Sequence, residues 1–192
     1  MRVTKAQAQA NRAHIVETAS ALFRERGYDG VGVAELMAAA GFTHGGFYKH
    51  FRSKADLMAE AAANGLSQSL VNTADLDVTE FVNIYLSRAH RDGRNAGCTM
   101  AALCGDAARQ SGEIKATFAD GVESMLAALE PDDSPGDVDP HTVRARMIDM
   151  LAHAIGAVVL SRACPDDSPL ADEILEVCRE KILATLSPSQ ST

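Results

Sequence analysis

The stretch VAELMAAAGFTHGGFYKHF, residues 33–51, decides how the chain is read. Val33, Leu36, Met37 and Ala40 recur at helical spacing and give a short helix one apolar face, and Gly41 ends it. Gly41-Phe42-Thr43 forms a tight turn, with Thr43 placed to cap a second short helix that packs inward through Phe47 and Phe51 at i and i+4. The outer residues of that helix are then His44, Gly45, Tyr48, Lys49 and His50. Two short helices joined sharply by such a turn have helix-turn-helix geometry, in which the second helix enters the major groove of DNA. The chemistry agrees. Lys49 and His50 can meet phosphate, Tyr48 supplies a hydroxyl and a flat ring, and Gly45 and Gly46 leave out side chains where a backbone must approach DNA closely. His44 can read a base edge, or simply cap the helix and stay solvated.

Charge sorts along the same boundary. The 192 residues carry a net charge of −8, which taken whole argues against a polyanionic partner. Residues 1–55, however, hold 8 Lys+Arg against 4 Asp+Glu, whereas residues 56–192 hold 10 against 22. A positive segment on an acidic body concentrates attraction for a polyanion in one place and limits sticking elsewhere. With 46% hydrophobic and 23% charged residues the chain is globular, neither disordered nor fibrous. Cys98, Cys104, Cys164 and Cys178 lack CxxC spacing, which argues against a zinc site or a redox motif of the thioredoxin type. His44 and His50 stand six apart, not at the spacing of helix-borne metal ligands, so no metal or cofactor is expected. The start of the chain has no charged-then-apolar leader. The most apolar run, residues 147–160, contains Asp149 and His153 and is shorter than the roughly 20 residues needed to cross a bilayer. A soluble, cytoplasmic protein with reduced thiols is expected.

Helical periodicity continues throughout, giving an all-α chain of about nine helices. Ile15, Ala19, Leu22 and Phe23 stripe a first helix over residues 6–26, stopped by Gly27. Ser53-Lys54-Ala55-Asp56 reads as a capping box opening a helix to about residue 70, which Gly65 weakens. Phe81, Tyr85 and Ala89 mark a fifth helix, residues 98–110 a sixth, and Ile114, Phe118, Val122, Met125 and Leu129 a seventh. Residues 131–140, PDDSPGDVDP, form an acidic, proline-rich loop. The helix over residues 142–163 is apolar on two faces: Met147, Leu151, Ala154 and Val158 on one, Ile148, Ile155 and Val159 on the other. Burying both calls for a partner chain. The last helix, residues 169–186, carries Leu170, Ile174, Cys178, Ile182 and Leu186 on one stripe.

Residues 21–61, ALFRERGYDGVGVAELMAAAGFTHGGFYKHFRSKADLMAEA, resemble the TetR family of transcriptional regulators. The resemblance rests on Gly27-Tyr28, the A-G-F turn at residues 40–42, the F-Y-x-H-F signature at residues 47–51, and the S-K-x-x-L run at residues 53–57. It implies a three-helix DNA-binding domain over residues 1–52 and a helical ligand-binding and dimerisation domain over residues 53–192. The expected protein is a ligand-responsive repressor that binds a pseudo-palindromic double-stranded operator as a homodimer joined through residues 142–163 and 169–186. A small-molecule inducer would release it. By motif, Tyr48, His50 and Lys54 would contact phosphates, with Thr43, His44, Gly45, Gly46 and Lys49 at or near the groove. Where relatives have Ser or Thr at the start of the second helix, this chain has Val31-Gly32-Val33, so that phosphate contact comes from backbone amides or is absent. Residues 96–110 also resemble a G-C-x-x-x-A-L run of one branch of the family.

Phe81, Tyr85, Met100, Leu103, Phe118, Met125, Met150 and His153 are the candidates for lining an inducer pocket, although such stripes are first of all core and His153 reads first as a satisfied core histidine. Cys98 follows Gly97 at a helix start, where amide dipoles favour a thiolate, so oxidant or electrophile sensing with Cys104 as partner is the alternative to a buried apolar role. An enzyme is the competing class, but no Ser/His/Asp order, phosphate-binding glycine loop or HExxH is present. A helical adaptor whose helix-turn-helix packs only on protein is the third.

Overall fold

The computed structural model of the chain describes residues 4–130 and 139–186, and every regular element among them is helical. In order these are α1 (Lys5–Arg26), α2 (Val33–Ala39), a 3₁₀ helix η1 (His44–Lys49), α3 (Lys54–Thr73), α4 (Val78–Tyr85), α5 (Arg88–Asp92), α6 (Thr99–Ala107), α7 (Gly112–Leu129), α8 (Pro140–Ala163) and α9 (Pro169–Leu186). Thr4 caps α1, its side chain accepting the Gln7 N–H. Gly27, at φ +74°, ends it.

Two short elements depart from the sequence expectation. The recognition segment is a 3₁₀ helix held by Gly46 N–H to Thr43 C=O and His50 N–H to Phe47 C=O, both 2.9 Å. Two consecutive glycines of low α-propensity favour this tighter turn. Thr43 is its N-cap by position, but its side chain makes no cap bond. The fifth helix is in fact two, α4 and α5. Ser87 breaks the run with extended backbone, its hydroxyl accepting the His90 N–H and donating to the Ile84 carbonyl. Most of the acidic 131–140 loop lies outside the described residues. At its end Asp139 caps α8 and Pro140 is the first helical residue, a position where a missing N–H costs nothing.

The chain forms two compact units. The first takes residues up to Ser69 together with Arg94–Gly121. Its core joins Phe23, Tyr28, Leu36, Phe47, Phe51 and Leu57 to Leu103, Ala107, Ile114 and Phe118. The helix-turn-helix therefore shares one core with α6 and the first part of α7.

The second unit takes Leu70–Gly93 and residues from Val122 onward. Here α8 and α9, linked by five residues, pack as a helical hairpin. Met147, Leu151, Ala154 and Val158 of α8 are buried, whereas Ile148 and Val159 stay 46% and 45% exposed. His153 is exposed, which corrects its reading as a core histidine: at about 100° per residue it falls roughly a quarter turn from the buried stripe. On α9 Ala171, Leu175 and Ile182 are buried; of the expected stripe only Ile182 is fully buried, with Ile174, Cys178 and Leu186 half-buried and Leu170 51% exposed. Small Ala171 lets α9 come close to α8, where the Ser161 hydroxyl donates to the Ala171 carbonyl at 2.7 Å.

His90 lies within this unit, its Nδ1–H donating to the Tyr85 carbonyl at 2.7 Å and its ring 4.5 Å from that of Tyr85. Burial, and then the charge of Arg162, hold its pKa below the ordinary value despite that bond. The neutral ring is thus favoured in the folded state, so the unfolded chain binds the extra proton. Stability is fully present above the unfolded value of about 6.5 and falls as pH drops below it. Urea denaturation between about pH 7.5 and pH 5 is expected to show this loss, and His90→Gln is expected to flatten it.

Candidate nucleic-acid interface

The turn that presents η1 is built by Gly41. At φ +79° it allows the Phe42 N–H to reach the Met37 carbonyl at 2.7 Å and its own N–H to reach Ala38 at 3.0 Å, a paired helix-ending motif. Phe42 then packs against the core, and Phe47 and Phe51, both nearly inaccessible, anchor the segment from beneath with ring centroids 5.5 Å apart. Anchoring one side leaves the other outward. Thr43, His44, Gly45, Tyr48 and Lys49 are exposed, and Gly46 and His50 are half-buried. Tyr48 is 70% exposed.

The glycines carry a specific message. A Cβ on Gly45 would meet nothing within 4 Å, and on Gly46 it would make only ordinary contacts with Met37 and Thr43. Neither has positive φ. The fold itself does not require glycine at either position.

The positive charge of the head is divided by what holds it. Arg12 is ion-paired to Glu60, donates to the His50 carbonyl at 3.3 Å and lies 4.7 Å over the Phe51 ring, locking α1 to η1 and α3. The hydrogen bond to Glu60 raises its pKa. Arg24 donates to the Ser20 hydroxyl and the Asn95 carbonyl, and burial lowers its pKa. Arg26 pairs with Glu35. Lys54, expected at a phosphate, directs its Nζ to the Tyr28 carbonyl at 2.5 Å. Lys49 forms no ion pair among the described residues, and Arg52, whose side chain is 95% exposed, only reaches 3.9 Å from Asp56. Arg52 was missed at the sequence level although it directly follows the F-Y-x-H-F motif.

The capping box at the start of α3 forms with a shift. The Asp56 N–H donates to the Ser53 hydroxyl at 3.1 Å, while the Asp56 carboxylate accepts from the Arg52 N–H at 3.0 Å. At the start of α2, Gly32 is the N-cap and no side chain caps the helix.

The expected pocket residues fall in both units. Met100, Leu103 and Phe118 belong to the first unit and Phe81, Tyr85, Met125 and Met150 to the second, all buried, and His153 is exposed. A cleft of about 270 Å³ in the second unit is lined by Glu123, Leu126, Ala127, Glu130, His141, Arg144 and Met147. Cys98 is the N-cap of α6 and buried. Cys104 is half-buried, its thiol pushed up to about 11 by burial and the nearby Cys98. Cys164 and Cys178 are half-buried free thiols. No helix among the described residues is long and apolar enough to cross a membrane.

Residues 15–61 match the family model for bacterial regulatory proteins of the tetR family. The HTH-type transcriptional regulator AcrR of Shigella flexneri is 38% identical over 76 residues, covering 40% of this chain and 34% of that protein. The HTH-type transcriptional repressor DhaR of Mycobacterium sp. (strain GP1) is 49% identical over 43 residues, 22% of each chain. The chain thus spans about a third or less of the length of these curated relatives. Among solved structures, the reduced form of E. coli NemR superposes with a TM-score of 0.72 at 18% identity, covering 91% of this chain and 97% of that one. A TetR transcriptional regulator of Chloroflexus aurantiacus gives 0.72 at 22%, covering 95% and 97%. Sequence motif, helix-turn-helix geometry and family match fall on the same residues, so that residues 15–61 are those of a helix-turn-helix segment similar to the tetR family of bacterial regulatory proteins.

Proposed function

We propose that this chain is a cytoplasmic, ligand-responsive transcriptional repressor that binds a pseudo-palindromic operator as a homodimer. A head formed by residues 1–52 reads DNA, and the helical remainder, residues 53–192, dimerises and takes up a small-molecule inducer. Two copies of η1 enter successive major grooves about 34–36 Å apart, with Tyr48 and Lys49 on phosphates and His44 toward base edges. Inducer binding changes the separation of the heads and releases the DNA. The exposed Ile148 and Val159 of α8, with Leu170 and Val177 of α9, supply the apolar dimer surface.

The observation that carries this reading is the outward face of η1, where an exposed aromatic ring and a lysine with no ion pair among the described residues follow a glycine that the fold does not need. A requirement for Gly45 then comes from outside the protein, from close approach to a duplex. Gly45→Ala is expected to unfold at the parent's temperature or slightly above while binding operator roughly tenfold more weakly. Lys49→Ala is expected to lower the salt slope of log K by about 0.9, one phosphate contact. Unchanged affinity in both variants would move the interface off η1. The thiol-sensing alternative has less support: Cys98 is buried, and Cys104 is held protonated at neutral pH.

A further inference from the structure

Tyr28, in the six-residue link from α1 to α2, is held from both sides by residues outside the helix-turn-helix. Its N–H donates to Oδ2 of Asp106 on α6 at 3.1 Å, and its carbonyl accepts from Nζ of Lys54 on α3 at 2.5 Å. Space for the Asp106 carboxylate exists because the preceding residue is glycine: a Cβ on Gly27 would stand 2.7 Å from Oδ2. Arg109 aims the carboxylate from the other side, donating to Oδ1 at 2.7 Å. The Tyr28 ring is fully buried and meets Phe23 edge-on at 5.1 Å, so the residue cannot turn without disturbing the core. Asp106 lies 78 positions further along the chain, yet it bonds the backbone that fixes where α2 begins, and α2 carries η1.

We propose that Asp106 and Lys54 are positioning residues for DNA binding, acting together through the backbone of Tyr28 to set the helix-turn-helix, and that Lys54 is not a phosphate contact. Any movement of α6 then reaches the head through the Asp106 carboxylate. This inference rests on the DNA-binding reading above.

The test uses the full chain and a duplex from the region upstream of its own gene, with affinity measured across a salt series. Asp106→Ala and Lys54→Met are each expected to weaken binding about tenfold, the loss of one charged hydrogen bond, with the salt slope unchanged. Together they should cost less than the product of the two, because both act on Tyr28. Asp106→Asn, which keeps an acceptor for the Tyr28 N–H, should restore most of the affinity. Amide hydrogen exchange on the parent provides a reading that needs no variant to fold, and the Tyr28 N–H should be protected. The proposal is overturned if Asp106→Ala binds like the parent, if Lys54→Met lowers the slope by about 0.9, or if the Tyr28 amide exchanges as a free loop amide. A parent that binds no DNA overturns the functional reading and this inference with it; a parent that binds, beside an unaffected Asp106→Ala, overturns this inference alone.

Discussion

Arg91→Ala is expected to destabilise the fold by about 3–5 kcal/mol, lowering the thermal midpoint by roughly 10 °C. Arg91 is only 1% exposed, and each donor group on its side chain is engaged. Nε donates to the Ser161 hydroxyl at 3.0 Å, and Nη2 donates to the carbonyls of Ser161 and Cys164 at 3.0 and 3.1 Å. Nη1 reaches Asp92 at 2.6 Å and Asp166 at 2.9 Å. The backbone is tied as well, since Arg162 donates to the carbonyls of Arg91 and His90. One side chain thus ties α5 to the end of α8 and to the connection into α9. The two aspartates are half or more exposed, so their charge pairs contribute little. The loss comes from the cavity and from removing the charged donors to the Ser161 hydroxyl and to the carbonyls of Ser161 and Cys164, of which the Ser161 carbonyl keeps only the Cys164 N–H. Arg91→Met keeps much of the volume and should recover part of the loss, which denaturation followed by circular dichroism will measure.

Gly65→Ala should destabilise by about 1–3 kcal/mol, against the sign that helix propensity alone gives. Alanine is the better helix former by up to about 1 kcal/mol, and Gly65 is inside α3. A Cβ there, however, would stand 2.4 Å from Thr99 Oγ1, 2.6 Å from Arg24 Nη1 and 2.7 Å from Ser20 Oγ. The arginine end can swing aside, but Ser20 and Thr99 are short, buried and fixed by their helices. Gly105→Ala in α6 is the matched control, since its Cβ meets nothing within 4 Å, and it should gain up to about 1 kcal/mol. Opposite signs in urea denaturation would establish that Gly65 is kept for the close approach of α1, α3 and α6.

That pair shows where the sequence could be read and where it could not. Local signals were sufficient for the helix-turn-helix: the apolar periodicity of α2, Gly41 as its stop, and Phe47 and Phe51 at i and i+4 all recur in the structure. The two faces of α8 were also legible, because a second apolar stripe is visible in one dimension. Gly65 read only as a weak point, since its reason lies in residues more than thirty positions away on other helices. The same holds for the charge of the head. The six cations between residues 12 and 54 look alike in sequence, but Arg12, Arg24, Arg26 and Lys54 are each bound to protein, whereas Lys49 and Arg52 are exposed. Asp106 carries no local mark at all, and its tie to Tyr28 appears only when α6 is placed beside the head.

Binding of the parent protein to the DNA upstream of its own gene, titrated from about 50 to 200 mM salt, tests the central claim most directly. A dimer using both heads is expected to bind one site with two chains, and a set of six or more phosphate contacts makes the affinity fall by about a thousandfold over that range. Absence of binding, or binding that does not change with salt, would contradict the claim that the face of η1 meets a nucleic-acid backbone.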